Sequence, residues 1–310
     1  MNTYNRLSPR LALQLAAPHT WAASICPALF GELYCAVCGL HLNILQNIAV
    51  FAACILMQSS VNTLNDYIDF VHGNDSAEDN VEVSDATLVY ANVNPAHALI
   101  LGTAYLAAGA LLGICASLPA GFTPILIGIA GGLAVVLYSG GPLPISYLPI
   151  GEFVSGFVMG GLIPLGIAAI SDNRIHAEVL FWALPLMIGI ALIMMSNNGS
   201  DIEKDLKSGR RTLTTYLGRN RTRAVYHTLV IIWAVLLLVL PVILTGASGL
   251  ICAPVFAAAA GRKFIYLFKA DLMPEGRIRL MKTVAAANMS GNGAYILSLA
   301  FGLCLRGLFG

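Results

Sequence analysis

Two stretches of this 310-residue sequence concentrate the side chains that could do chemistry. The first is Asn62-Thr-Leu-Asn65-Asp66-Tyr-Ile-Asp69-Phe-Val-His72-Gly73-Asn-Asp75, which closes a long apolar run. Asn62, Asn65, Asp66 and Asp69 recur at intervals of three and four, so a helix would hold them on roughly one face. Carboxylates at the end of a membrane-spanning helix are costly unless something neutralises them. Hard oxygen donors in this number suit Mg²⁺, which takes one or two carboxylates and completes its shell with phosphate oxygens and water. The second stretch is Asn197-Asn198-Gly-Ser-Asp201-Ile-Glu203-Lys204-Asp205-Leu-Lys207-Ser-Gly209-Arg210-Arg211-Thr212. Asp201 and Asp205 are one helical turn apart, and Asn198 stands one turn before Asp201. Lys207, Arg210 and Arg211 follow at once. Metal-binding carboxylates beside cations make a diphosphate site: the metal bridges the oxygens and the cations take up developing negative charge. Either cluster alone reads equally well as the solvated start of a loop. Two of them, at matching ends of two helices, point to a shared metal–diphosphate site.

The elements that must position these groups are membrane helices. The chain is 57% hydrophobic and 11% charged, against about 25% charged in a soluble domain. Apolar runs of bilayer length fall at about 20–40, 46–68, 97–117, 122–139, 148–170, 178–198, 226–245, 247–266 and 284–305, each near the roughly 20 residues a spanning helix needs. The expected fold is therefore all-α, a polytopic bundle of about nine spans in one domain over residues 1–310. The runs are continuous rather than alternating, which excludes a β-barrel. Net charge is +1, so no global basic field points to nucleic acid.

With the N-terminus inside, the inner loops carry Arg6 and Arg10, then Lys204 to Arg223, then Arg262 to Lys282, while the outer loops carry only Arg174. That asymmetry follows the positive-inside rule, and it places the chemistry on the inner face. No cleavable signal peptide is expected, because the first apolar stretch continues into further spans. The seven cysteines all sit in apolar runs. Cys35 and Cys38 form a CxxC with no second Cys or His pair beside it, so they read as packing residues rather than zinc ligands.

The pair NDYIDFVHGND and NNGSDIEKDLKSGRRTL resembles the two signature motifs of the UbiA-type prenyltransferase superfamily. Tyr138-Ser-Gly-Gly-Pro142-Leu-Pro144-Ile-Ser-Tyr147-Leu-Pro-Ile-Gly151-Glu152 is similar to the YTGGP segment of the menaquinone branch, the 1,4-dihydroxy-2-naphthoate polyprenyltransferases. Gly73 and Asp75 after motif one, and Gly209 to Leu213 followed by Leu217-Gly218, point the same way. The likeness runs from about Ala16 to the last helix.

The resemblance implies nine helices around a central cavity open to lipid. It implies Mg²⁺ held by Asn65, Asp66, Asp69, Asp201 and Asp205, with Asp75 counted in the same set, and Asp66, Asp69, Asp201 and Asp205 as the catalytic carboxylates. Lys207 and Arg211 would contact diphosphate, Tyr138 would line the cavity, and Asn198 would bind substrate. It further implies a polyprenyl diphosphate donor, a 1,4-dihydroxy-2-naphthoate acceptor that loses CO₂, and a place in the cytoplasmic membrane of the cell.

The sequence departs from the branch at Ala17-Pro18-His19-Thr20, where Arg and Lys flank the proline, and at Ser200, where motif two has Arg. The stretch from Glu78 to Asp85 is acidic where the branch carries cations. Another aromatic acceptor on the same fold is the alternative these departures leave open. A membrane transporter is a third reading, but transporters place such groups on broken helices at the midplane, and here they lie at helix ends.

Other residues weigh less. His72 reads as a proton acceptor or an ordinary loop histidine. Glu152, at the inner end of a span, is a candidate to face the cavity. Asn292 reads as a helix–helix hydrogen bond, and Gly131-Gly132 and Gly160-Gly161 as close-packing sites. Met187, Met194 and Met195 read as packing residues, and Trp21, Trp182 and Trp233 as interfacial or cavity anchors.

Overall fold

The computed structural model describes residues 4–72 and 87–309. Asp75 and the acidic stretch from Glu78 to Asp85 lie outside the described residues, as does the side chain of His72. The described chain is helical apart from a single bridge between Asn5 and Val93.

The helices are α1 (Pro9–Leu15), α2 (Ala22–Val37), α3 (Ile44–His72), α4 (Thr87–Ala91), α5 (Pro95–Ser117), α6 (Phe122–Ser139), α7 (Gly151–Ser155), α8 (Ile163–Asp172), α9 (Glu178–Trp182), α10 (Leu184–Ser200), α11 (Ile202–Lys207), α12 (Leu213–Leu217), α13 (Arg219–Thr245), α14 (Cys252–Ala259), α15 (Gly261–Phe268) and α16 (Arg277–Phe309). A π-helical stretch, Gly156–Leu162, joins α7 to α8 into one continuous rod.

Five stretches are long and apolar enough to cross a bilayer: Ile44–Val71, Pro95–Ser117, Phe122–Ser139, Gly151–Asp172 and Arg219–Ala259. The pair Pro9–Thr20 and Ala22–Val37, bent by 57°, makes a sixth if counted as one span. The other expected crossings are helical but weaker as spans. Leu184–Ser200 is short, and α16 carries Asn288 and Asn292 within its apolar length. Those amides are buried: Asn288 Nδ2 donates to the Gly189 carbonyl at 2.8 Å, Asn292 Nδ2 to Asn288 Oδ1 at 3.1 Å, and Trp233 Nε1 to Asn292 Oδ1 at 3.3 Å. Asn292 thus makes the interhelical hydrogen bond expected of it, and Trp233 is a core residue rather than an interfacial anchor.

Small residues let helices approach closely. A Cβ added at Gly160 would lie 2.5 Å from the Met187 amide, and one at Gly156 2.5 Å from the Met187 carbonyl. The α7–α8 rod therefore rides directly on the backbone of α10. Gly131 and Gly132 have no such neighbour and are not close-packing sites. Large apolar side chains of α5 and α6, such as Ile100, Leu111, Leu126 and Leu133, face outward; a surface of that kind belongs against lipid.

The bend between α1 and α2 passes through Ala17, whose φ of 46° is left-handed. An alanine there costs about 1 kcal/mol or more, so other contacts must hold it. Asn62 Nδ2 donates to the Ala16 carbonyl at 3.0 Å and to Thr20 Oγ1 at 2.8 Å, and Gln58 Nε2 donates to Asn62 Oδ1 at 3.3 Å.

Candidate active site

The acid-bearing ends of α3 and α10 lie at one end of the bundle, and the segment from Tyr138 to Glu152 runs between them. At the α3 side, Asn65 is clamped from two directions. Its Oδ1 accepts from Ser139 Oγ at 2.6 Å, and its Nδ2 donates to Asp69 Oδ2 at 3.0 Å. Asp66, adjacent to Asn65 and so about 100° around the helix, points elsewhere. Its carboxylate is buried and accepts from the amides of Thr87 at 2.9 Å and Leu88 at 3.4 Å, the first residues of α4. The four polar residues of α3 therefore do not act as one face. Asn62 holds the α1–α2 bend, Asp66 receives α4, and Asn65 with Asp69 face the end of α6.

At the α10 side, Asp201 stands where α10 gives way to α11, and the Arg277 guanidinium from the start of α16 pairs with it at 3.0 Å. Arg277 Nη2 also donates to Asn197 Oδ1 at 2.6 Å. Burial raises the Asp201 carboxyl above the ordinary carboxylate range, against the pull of Arg277, Lys204 and Arg210. Asp205 is buried more deeply and its contacts are long: Thr212 Oγ1 at 3.5 Å and Arg210 Nη1 at 3.6 Å. Burial pushes its pKa up to about 6, Arg210 and Lys204 oppose the rise, and the Asp201 charge adds to it.

The cation beside Asp205 is Arg210, a neighbour of the Lys207 and Arg211 that the resemblance assigns to diphosphate. Gly209, at a φ of +76°, turns the chain so that the Arg210 amide returns to the Asp205 carbonyl at 2.9 Å. The Arg210 guanidinium is half-buried and lies over the Tyr147 ring, 5.1 Å from its centroid. Lys207 and Arg211 are exposed. The Arg211 backbone amide donates to the Tyr147 carbonyl at 3.0 Å.

Tyr138 ends α6 beside Ser139, and the charged neighbours of its hydroxyl are Glu152, Arg210 and Asp69. Asp69 of the first segment and Arg210 of the second thus both act on Tyr138 electrostatically. Glu152, in the first turn of α7, is 3% exposed, and its Oε1 accepts from Asn198 Nδ2 at 2.9 Å. Asn198, expected at substrate, gives its amide nitrogen to this pair. Arg219 ties the site end to α13. It donates to the carbonyls of Gly199 and Leu272, and to both Glu203 carboxylate oxygens at 2.6 and 2.8 Å. A recess lined by Leu7, His97, Ile100, Leu101 and Ala104 contains none of these groups and is no part of the site.

The UbiA prenyltransferase family pattern matches residues 24–303. The chain belongs to the UbiA prenyltransferase family. It is similar to 1,4-dihydroxy-2-naphthoate octaprenyltransferase of Bacillus subtilis, at 33% identity over 279 residues covering 89% of this chain and 87% of that one. It is also similar to the enzyme of the same name from Mycobacterium tuberculosis, at 28% identity covering 79% and 83%. Among solved structures, the fold matches a UbiA homolog from Archaeoglobus fulgidus bound to DMAPP and Mg²⁺, with a TM-score of 0.61, 15% identity, and coverage of 92% of this chain and 99% of that one. It matches the apo structure of a homolog from Aeropyrum pernix K1 with a TM-score of 0.66, 15% identity, and coverage of 88% and 96%.

The side chains present fit a divalent cation. Among the described residues no three His, Cys, Asp or Glu groups converge on one point, so a full protein cage is excluded there. Mg²⁺ does not need one, since it keeps waters and substrate phosphate oxygens in its shell. Asp205 is a buried carboxylate whose charge burial and Asp201 disfavour, and which Arg210 meets only at 3.6 Å. A divalent ion shared with a diphosphate would relieve that penalty.

Proposed function

We propose that this protein transfers a polyprenyl chain from its diphosphate to 1,4-dihydroxy-2-naphthoate, with loss of CO₂, in menaquinone biosynthesis. The observation that supports the reading is the fastening of both acidic motifs to the segment between α6 and α7, Asn65 through Ser139 and Arg211 through Tyr147, in a chain one-third identical to an enzyme named for that reaction. Asn65, Asp69, Asp75, Asp201 and Asp205 are the residues that would hold Mg²⁺, while the Asp66 carboxylate is engaged by the Thr87 and Leu88 amides. When bound, the ion neutralises the diphosphate as charge moves onto it during cleavage of the prenyl C1–O bond.

This chain's own groups do the rest. Arg210, fixed over Tyr147 and backed by Asp205, presents a positive charge to the departing diphosphate. Lys207 and Arg211 lie exposed at the same end, where they can attract the donor's diphosphate head group at the membrane surface. Tyr138 would line the cavity beside these charges. Surrounding apolar helices exclude water, which would otherwise capture the allylic cation, and the lipid-facing bundle admits the long prenyl tail. The cation-rich end faces the cytoplasm by the positive-inside rule, so the N-terminus and site lie on the cytoplasmic side of the cell membrane.

A second reading, the same transfer to another aromatic acceptor, is favoured by Ala17-Pro18-His19-Thr20, which supplies no Arg or Lys for an acidic acceptor. Membranes holding the protein, incubated with radiolabelled polyprenyl diphosphate, Mg²⁺ and a panel of aromatic acceptors, decide between the two. Prenylated naphthoquinol is the expected product. A different prenylated phenol selects the second reading, and no product with any acceptor, from a folded protein, defeats both.

A further inference from the structure

Glu152 is a buried carboxylate with one oxygen left over. Its Oε1 takes the hydrogen bond from Asn198 Nδ2, while its Oε2 is buried and has no hydrogen-bond partner. Buried polar atoms are almost always paired, and an unpaired carboxylate oxygen is costly to keep. Holding α7 against α10 does not explain it, because a glutamine could accept from Asn198 without bringing a charge inside.

The position of the group narrows its partner. Asn198 precedes Asp201 by one helical turn, so Glu152 sits on the bilayer side of the acids rather than among them. Tyr138, at the end of α6, counts Glu152 among its charged neighbours. The backbone contact of Gly156 and Gly160 with Met187 fixes the rod that carries Glu152 onto the helix that carries Asn198. A rigidly held acceptor oxygen, beside the leaving-group site and away from water, is suited to a hydroxyl donor on the ring to be alkylated.

We infer that Glu152 Oε2 accepts a hydrogen bond from a ring hydroxyl of the aromatic acceptor, making Glu152 the residue that positions that substrate and selects hydroxylated rings. The inference rests on the prenyltransfer reading above. It concerns the acceptor and not the diphosphate, so the two substrates report on it differently.

The test uses the purified full-length protein and its Glu152→Gln variant, checked for equal thermal melting. Two quantities are read for each: equilibrium binding of 1,4-dihydroxy-2-naphthoate by its fluorescence, and KM for each substrate. Affinity for the acceptor should fall at least about tenfold in the variant, as expected for losing a hydrogen bond to a charged group. KM for polyprenyl diphosphate and the Mg²⁺ requirement should change less than about twofold. The wild type should also bind a mono-methoxy analogue of the acceptor more weakly than the dihydroxy ring, and the variant should lose that preference. Asn198→Ala, which frees the carboxylate to swing, should reproduce part of the loss.

Unchanged acceptor affinity and unchanged preference in Glu152→Gln overturn the assignment while leaving the prenyltransferase reading intact. An equal rise in the KM for diphosphate overturns it in favour of a metal-site role. Wild-type protein that makes prenylated product only from another phenol shifts every measurement to that phenol. Wild-type protein that binds and prenylates none of the panel removes both readings.

Discussion

The backbone amide of Arg211 donates to the carbonyl of Tyr147 across 3.0 Å. This one bond joins the second acidic motif to the loop that leaves α6 at Ser139, the residue that grips Asn65 of the first. Both motifs are held by the segment that separates α6 from α7.

That arrangement predicts separable effects for the acids. Asp205→Asn should abolish turnover, lowering kcat by about 10²-fold or more if it removes a metal ligand, while leaving the melting temperature near wild type. Asp66→Ala should lower both. It strips the acceptor from the Thr87 and Leu88 amides, and leaving a buried donor unpaired costs about 1–3 kcal/mol. Product assays alongside thermal melts distinguish the two; an Asp205→Asn protein with full activity would sink the metal assignment.

Asp205 also predicts a pH dependence. Its folded pKa of about 6 lies above the roughly 3.9 of an unfolded aspartate. Between those values the folded state binds more protons, so metal-free stability falls as pH rises from about 4 to about 6 and stays lower above that. Mg²⁺ requires the charged form, so its stabilising effect should grow as pH rises through about 6. Melting curves with and without Mg²⁺ across pH 4.5–7.5 measure this, and Asp205→Asn should flatten both trends.

Arg277 provides a third test. It is the only cation the structure pairs closely with Asp201 among the described residues, and both side chains are largely buried. Arg277→Ala should cost roughly 3–5 kcal/mol, because one partner of a buried pair is left alone. The double variant with Asp201→Asn should recover part of that stability without recovering activity, as read by melting and product formation.

At the far end of α8, His176 bonds Asp172 at 2.9 Å and Glu178 at 3.2 Å. Burial works against its charge, yet these two hydrogen bonds carry its pKa above the ordinary histidine value. The stabilisation is therefore complete below about pH 6.5 and is lost as pH rises through the raised folded value. His176→Gln should remove this part of the pH dependence of melting and leave prenyl transfer unchanged; an unaltered melting profile would count against the cluster.

Packing gives the last prediction. Gly160→Ala would place a methyl 2.5 Å from the Met187 amide, forcing the α7–α8 rod off α10 at a cost of about 1–3 kcal/mol. It should also widen the Glu152–Asn198 contact. Lower melting temperature with weaker acceptor binding is the expected pair of results, and normal values for both would show that the two helices can part freely.

Much of this was legible in the sequence because the bilayer demands long apolar helices. The α3, α5, α6 and α13 spans were plain, and the glycines at 160 and 161 marked a close approach correctly. Asn65, Asp69, Asp201 and Asp205 showed themselves by helical spacing. What escaped were partners set by tertiary packing. Arg277 stands far down the chain from Asp201 and looked like one more loop cation. Asp66 meets α4 amides that no local pattern announces. Arg210 faces the site in place of Arg211 because Gly209 turns left-handed, a backbone choice that charge spacing cannot reveal. Glu152 and Asn198 each drew notice alone, but their pairing depends on the register of two helices 46 residues apart.

The loop between Ser139 and Glu152 acts as the ruler of this enzyme. Since it fastens to Asn65 at one end and to Arg211 and Asn198 at the other, the spacing between the two acidic motifs is set by residues outside both of them. Evolution could retune such a protein for a new donor by editing that strap alone, leaving every acidic side chain where it stands.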